Sequence, residues 1–141
     1  MVTIVSDEIG RVSVSAHTPD DSNHGGLHKM KMVTCIVRPE KLESITNTLD
    51  QLHIVGMTVT DVRGFGRQKG QVEHYRGEEY TIRFIPKVRI DLVVQEEDVK
   101  KVLDAVSKVS HTGNVGDGKI FVTAVENAMR IRTGEVGTSA L

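Results

Sequence analysis

The chain has 141 residues and a formal net charge of −1. That length supports one self-sufficient core with a short appendage, and the charge offers no bulk attraction to nucleic acid or an anionic membrane. Cys35 is the only cysteine, which excludes an intrachain disulfide and fits a reducing compartment such as the cytoplasm. Apolar runs are short, as in Leu92–Val94, against the roughly 20 residues a bilayer span needs. With no Trp, two Tyr and three Phe, the chain is poorly equipped to stack on bases. Neither nucleic-acid binding nor direct membrane insertion is expected.

No basic stretch followed by an apolar one opens the chain, so a secretory signal is not expected. Residues 1–29 read as a flexible N-terminal arm. Thr18-Pro19-Asp20-Asp21-Ser22-Asn23-His24-Gly25-Gly26 is polar and rich in turn formers. Within the arm, Val12 and Val14 alternate with polar residues, so Val2–Ala16 can pair as a weak hairpin. Met30 or Met32 could equally serve as a natural start. Residues 30–141 form the folded domain.

That domain reads as two similar halves. Met32–Val37 is a β-branched run that predicts a strand. Pro39 stands where a helix favours its first residue, with Glu40 behind it to complement the dipole. Leu42, Ile45, Leu49 and Leu52 then recur at helical spacing. Gly56 closes the unit, and Met57–Arg63 predicts a second strand. In the second half, Lys87–Gln95 predicts a strand with Ile90, Leu92 and Val94 on one face and Arg89, Asp91 and Val93 on the other. Glu96, Glu97 and Asp98 open an acidic helix N-terminus, and Val99, Val102, Leu103 and Val106 form its stripe. Lys119–Val125 predicts the last strand. The order β-α-β, loop, β-α-β predicts an α+β, ferredoxin-like sandwich, a sheet with helices on one face. The uncovered face of such a sheet favours self-association.

Between the halves, Gly66 to Arg83 spans 18 residues and carries Arg67, Lys69, Glu73, Arg76, Glu78 and Glu79. A connection of this length is either functional or an extended, solvated hairpin. Two glycine turns flank the candidate chemistry. Gly64-Phe65-Gly66-Arg67-Gln68-Lys69-Gly70 follows a strand and Gly116-Asp117-Gly118-Lys119 precedes one. Glycines let main-chain amides approach an anion, and Arg67, Lys69 and Lys119 add charge for phosphate oxygens. Neither turn is a Walker motif. Arg130 and Arg132 alternate, which on an extended strand directs both guanidiniums the same way. Catalytic readings are weaker. Cys35 alternates with Val33 and Val37 and reads as a buried small hydrophobe. Among six histidines only His24 and His28 approach metal-ligand spacing, in a glycine-rich arm. Ser107 and Ser110 have no evident base. The residues alone describe an anion-binding ferredoxin-like domain with a long loop.

Five segments make that description specific: Gly64-Phe-Gly-Arg-Gln-Lys-Gly70, Tyr75-Arg-Gly-Glu-Glu-Tyr80, Ile85-Pro-Lys-Val88, Thr112-Gly-Asn-Val-Gly-Asp-Gly-Lys-Ile-Phe121 and Arg130-Ile-Arg-Thr-Gly134. In this order and spacing, from about Lys31 to Leu141, they resemble the PII nitrogen-regulatory signal-transduction proteins. The Arg38-Pro-Glu-Lys-Leu42 opening resembles that family too, including its ammonium-transporter-linked branch. The resemblance implies a homotrimer with ATP/ADP sites in clefts between subunits, and a T-loop over roughly Gly66–Arg83. It assigns Thr58, Gly64, Gly66, Arg67, Gln68, Asp91, Val93, Gly116, Asp117, Gly118 and Lys119 to the nucleotide site, with Arg130 and Arg132 reaching phosphates from a neighbouring subunit. It implies that Gln68 helps hold Mg²⁺, which 2-oxoglutarate chelates, with Lys87 on one carboxylate and the main chain near Lys69 and Gly70 on the other. Tyr75, Arg76 and Tyr80 are implied partner contacts, with Arg76 as the residue a channel mouth would receive.

Departures from the family pattern bear on this. Glu78 stands where many relatives carry Ala or Ser, which excludes serine phosphorylation there. Tyr80 matches a tyrosine that some relatives uridylylate. Asp91 replaces a longer Glu, which softens adenine or ribose contacts. The expected function is a non-enzymatic sensor of nitrogen, carbon and energy status that acts on an ammonium transporter or on nitrogen-assimilation enzymes or regulators; slow ATP hydrolysis is at most a side activity. A PII-like sensor of another small ligand and a ferredoxin-like acyl- or phosphoryl-transfer enzyme are the alternative readings.

Overall fold

The computed structural model describes residues 2–6, 12–16, 29–54, 56–66, 71–75, 78–82 and 84–141. Strands β1 (Val2–Ser6) and β2 (Val12–Ala16) pair antiparallel, Ile4 opposite Val14. The main sheet is built from β3 (Met30–Val37), β4 (Met57–Gly64), β7 (Ile85–Gln95) and β8 (Gly118–Val125), in the order β4-β7-β3-β8. All its neighbours are antiparallel. Helices α1 (Leu42–Gln51) and α2 (Glu96–Ser110) lie side by side on one face. This is the two-layer ferredoxin-like α+β arrangement expected from the repeated β-α-β order.

Period-two and period-3.6 patterns meet in one core. Val33, Cys35 and Val37 of β3 and Val88, Ile90, Leu92 and Val94 of β7 are buried against Ile45 and Leu49 of α1 and Val102 and Val106 of α2. Leu42, Leu52 and Val99 pack at its margin, as their helical spacing predicts. Pro39–Lys41 forms a 3-10 turn ahead of α1, so the helix proper begins three residues later than Pro39 suggests. His53, with φ of 58°, reverses the chain after α1 and leads through Gly56 into β4.

The segment expected as a long loop carries its own ladder. Strands β5 (Gln71–Tyr75) and β6 (Glu78–Ile82) pair antiparallel, with Tyr75 opposite Glu78 and Glu73 opposite Tyr80. Residues 67–70, 76–77 and 83 lie outside the described residues. They include Arg67, Gln68, Lys69, Gly70 and Arg76, named above for nucleotide, metal, 2-oxoglutarate and partner contacts.

Chain direction at the head of β8 rests on a missing side chain. Gly118 has φ of 108°, and a Cβ there would sit 1.8 Å from the carbonyl oxygen of Ile36 on β3. No side chain tolerates both the angle and the approach. Gly118→Ala is therefore expected to destabilise the fold by about 3 kcal/mol or more, whereas Gly66→Ala, where an added Cβ meets nothing within 4 Å, stays within about 1 kcal/mol of the parent. Denaturant midpoints of the two variants distinguish these effects; equal midpoints would contradict the assignment.

Candidate functional site

The sheet has one face away from the helices, and the register states which residues share it. Across it run Thr58, Asp91, Thr34 and Phe121 as one row and Thr60, Arg89, Ile36 and Lys119 as the next. Val62 and Lys87 follow on the two strands that continue. At this end β4 finishes, β7 begins and the turn before β8 rises. They enclose an open cleft of about 560 Å³. Its walls include Gly64, Gly66, Lys87, Gly116, Gly118 and Lys119, all named from sequence, together with Phe65 and Val115. The two glycine turns, 50 residues apart in the chain, are therefore the two lips of one cleft.

Lys87 is the charged residue at its floor. Its side chain is buried, with only 9% of the residue exposed, and its ammonium donates to the Gly116 carbonyl at 2.5 Å. Burial holds its pKa below the ordinary lysine value, and the Arg38 charge adds to that. Glu40 and Asp117 pull the other way. A buried ammonium whose acceptor among the described residues is one neutral carbonyl remains under-compensated, a condition that an entering carboxylate or phosphate relieves.

Asp117 organises the second turn rather than the cleft wall. Its carboxylate accepts the Thr112 amide at 2.7 Å, the Gly113 amide at 3.0 Å and the Thr112 hydroxyl. Arg38 closes the arrangement, with Nε 3.3 Å from Asp117 and Nη2 donating to the Val115 carbonyl at 2.8 Å. These bonds, led by those from Thr112, hold the carboxyl well below the usual range. The acid is thus neutralised by donors beneath the turn, while Gly116 and Gly118, both at positive φ, bend the main chain toward the cleft. Arg38 was legible only as part of its motif; its bracing of a turn 77 residues away needed the fold.

Other named residues lie elsewhere. Thr58 and Asp91 are cross-strand neighbours farther along the open face, and Val93 follows on β7. Asp91 is already engaged: Arg89 Nε donates to it at 2.7 Å and Thr34 Oγ1 at 2.5 Å. The Arg89 bond is the leading cause that keeps its pKa low. Tyr75 and Tyr80 sit in β5 and β6. Arg130 and Arg132 correct the sequence reading, because they lie in a tight turn and not on an extended strand. Met129 bridges Val136, and the Arg130 carbonyl accepts the amides of Thr133 and Gly134. Gly134, at φ of 75°, permits that reversal. Neither arginine lines the cleft of its own chain.

The cleft can hold an elongated anion against glycine main chain, with Lys87 and Lys119 for charge and Phe65 as an apolar wall. The family model described as nitrogen regulatory protein P-II matches residues 30–135. The nitrogen regulatory protein GlnK of Escherichia coli (strain K12) is 51% identical over 112 residues, covering 79% of this chain and 100% of that protein. A nitrogen regulatory protein P-II of Synechocystis is 52% identical over the same coverage. Among solved structures, Arabidopsis thaliana PII bound to citrate aligns with a TM-score of 0.66 and 37% identity, covering 80% of this chain and 92% of that one. With the matched family model spanning the whole sheet, both helices and both glycine turns, the chain belongs to the nitrogen regulatory protein P-II family.

Proposed function

We propose that this chain is a non-enzymatic cytoplasmic sensor that binds ATP or ADP and, with Mg²⁺-ATP, 2-oxoglutarate, and that reports the outcome through residues 66–83 to an ammonium transporter or to enzymes and regulators of nitrogen assimilation. One observation carries the reading: the cleft that joins Gly64, Gly66, Lys87, Gly116, Gly118 and Lys119 opens at the root of β5 and β6. Whatever fills it acts on the segment's point of departure. The citrate bound to the Arabidopsis relative supports a polycarboxylate as one class of ligand.

In this reading Gly116, Gly118 and Lys119 receive phosphate oxygens, as Gly64, Gly66 and Arg67 do from the opposite lip. Thr58, Asp91 and Val93 lie on the open face where a nucleoside extends between copies of the chain, and Arg130 and Arg132 reach the phosphates from a neighbouring copy. A homotrimer is the proposed assembly. Support comes from the open face, which presents Ile36, Val62, Val93 and a half-exposed Phe121 without a covering layer from this chain's described residues. Among the described residues no group of three His, Cys, Asp or Glu is placed to hold a metal. A bound Mg²⁺ would therefore draw on phosphate and keto-acid oxygens plus the amide oxygen of Gln68, the ligand set a hard cation prefers. Lys87 then pairs one keto-acid carboxylate, with the main chain of Lys69 and Gly70 on the other. Tyr75, Arg76 and Tyr80 face the partner, and Tyr80 is the candidate modification site.

Because the keto acid shares its cation with the nucleotide, the two ligands are coupled, and a partner that prefers one state shifts the other by the same factor. Calorimetric titration of 2-oxoglutarate is expected to show saturable binding with Mg²⁺-ATP and little or none with Mg²⁺-ADP. Equal heats in both, or none in either while nucleotide binds, would refute the sensor reading. Gln68→Ala is expected to keep ADP affinity within about threefold while the 2-oxoglutarate response disappears; a retained response would remove Gln68 from the metal site. Lys87 supplies a pH signature. Its pKa, lowered by burial, means that the free protein loses this charge at a lower pH than an ordinary lysine, at about 10.4. Affinity for 2-oxoglutarate should then fall as pH rises through that window, with proton uptake on binding, and Lys87→Met should be weaker and flat with pH. A parent profile as flat as the variant's would exclude the contact.

A further inference from the structure

The turn from Met129 to Val136 is built around one carboxylate. Glu135 accepts a hydrogen bond from Arg130 Nη1, forming an ion pair, and another from Thr133 Oγ1 at 2.7 Å. The main-chain carbonyl of Glu135 also accepts the Arg130 amide at 2.9 Å. On its other side, Arg130 Nη2 donates to the main-chain oxygen of Leu141 at 2.7 Å. The Arg130 and Glu135 side chains are 35% and 45% exposed. Ion pairs so open to water contribute little to stability, so the consequence of this one is direction. A guanidinium has five N–H donors in a planar fork. Among the described residues two are used, at separate corners, which fixes the plane and leaves the other donors for an anion. Holding the fork in advance removes rotamer freedom that binding would otherwise have to remove. The same turn carries Arg132, exposed beside Ile131, which is 97% exposed.

We propose that Glu135 is a positioning residue for phosphate recognition: it holds the Arg130 guanidinium so that its remaining donors meet the phosphate oxygens of a nucleotide bound in the cleft of an adjoining copy. The proposal rests on the reading of that cleft as a nucleotide site. It assigns Glu135 a task opposite to the one its charge suggests, since an acid near a polyphosphate would otherwise repel it. The ion pair with Arg130 and the Thr133 hydroxyl offset that charge and convert it into orientation.

The test is calorimetric titration of ADP and of adenosine into the full chain, Glu135→Gln, Arg130→Ala and the double variant, with Glu135→Asp as a second substitution should the glutamine variant fold poorly. Glu135→Gln is expected to weaken ADP about tenfold and leave adenosine unchanged. Its effect should vanish in the Arg130→Ala background, and Glu135→Asp should fall between parent and Gln. An equal loss for adenosine would mean a distorted turn, and additive losses in the double variant would mean no action through Arg130; either overturns the proposal. Tighter ADP binding by Glu135→Gln would make Glu135 a competitor for Arg130 and also overturn it. If the parent chain binds no ADP, the nucleotide reading itself falls and this inference with it; if the parent binds and Glu135→Gln matches it, only this inference falls.

Discussion

The approach of β8 to β3 at Gly118 is the constraint on which the site depends. Because position 118 has no Cβ, the main chain closes to within contact of the Ile36 carbonyl, and the antiparallel ladder from Val37–Gly118 to Met30–Val125 can begin there. That closure places Lys119 on the open face and brings the Gly116 carbonyl over the Lys87 ammonium. Without it, the second glycine turn would stand away from the first and the cleft would have one lip.

Charge within the site is arranged in two tiers. Beneath the turn, Asp117, Arg38 and Thr112 satisfy one another, so the only acid in the turn is spent on structure. Above it, Lys87 and Lys119 line the cleft, and among the described residues Lys87 has one neutral acceptor, the Gly116 carbonyl. This separation gives the cleft a positive character that the net charge of −1 conceals. Local field, rather than total charge, governs recognition of a small anion.

A second consequence of the two-layer fold is its unequal faces. Helices cover the centre of one side of the sheet, with Val33, Cys35, Ile45, Ile90 and Val102 fully buried, while Val59 and Val122 on its outer strands stay exposed. The other side alternates apolar residues with the Arg89–Asp91–Thr34 network. A face that is partly apolar and partly ordered by an ion pair suits association in one register, because the polar groups penalise misaligned contacts.

What the sequence determined by itself was local. Period-two and period-3.6 patterns located the main-sheet strands and both helices within a few residues, because the core needs those faces whatever their neighbours. The motifs around Gly64 and Gly116 marked the two turns, and their order identified the family. Only the tertiary structure decided how they combine. That Gly118, and not Gly66, is sterically obligatory depends on a carbonyl 82 residues earlier in the chain. Arg38 as the brace of Asp117, and Gly116 as the acceptor for Lys87, depend on strand register in the same way. Arg130 and Arg132 alternate in sequence but not along a strand, because Gly134 allows the chain to reverse and the amides of Thr133 and Gly134 find their acceptor in the Arg130 carbonyl. Periodicity reports what a segment must bury; long-range contact, which it cannot report, sets where the segment's polar groups find their partners.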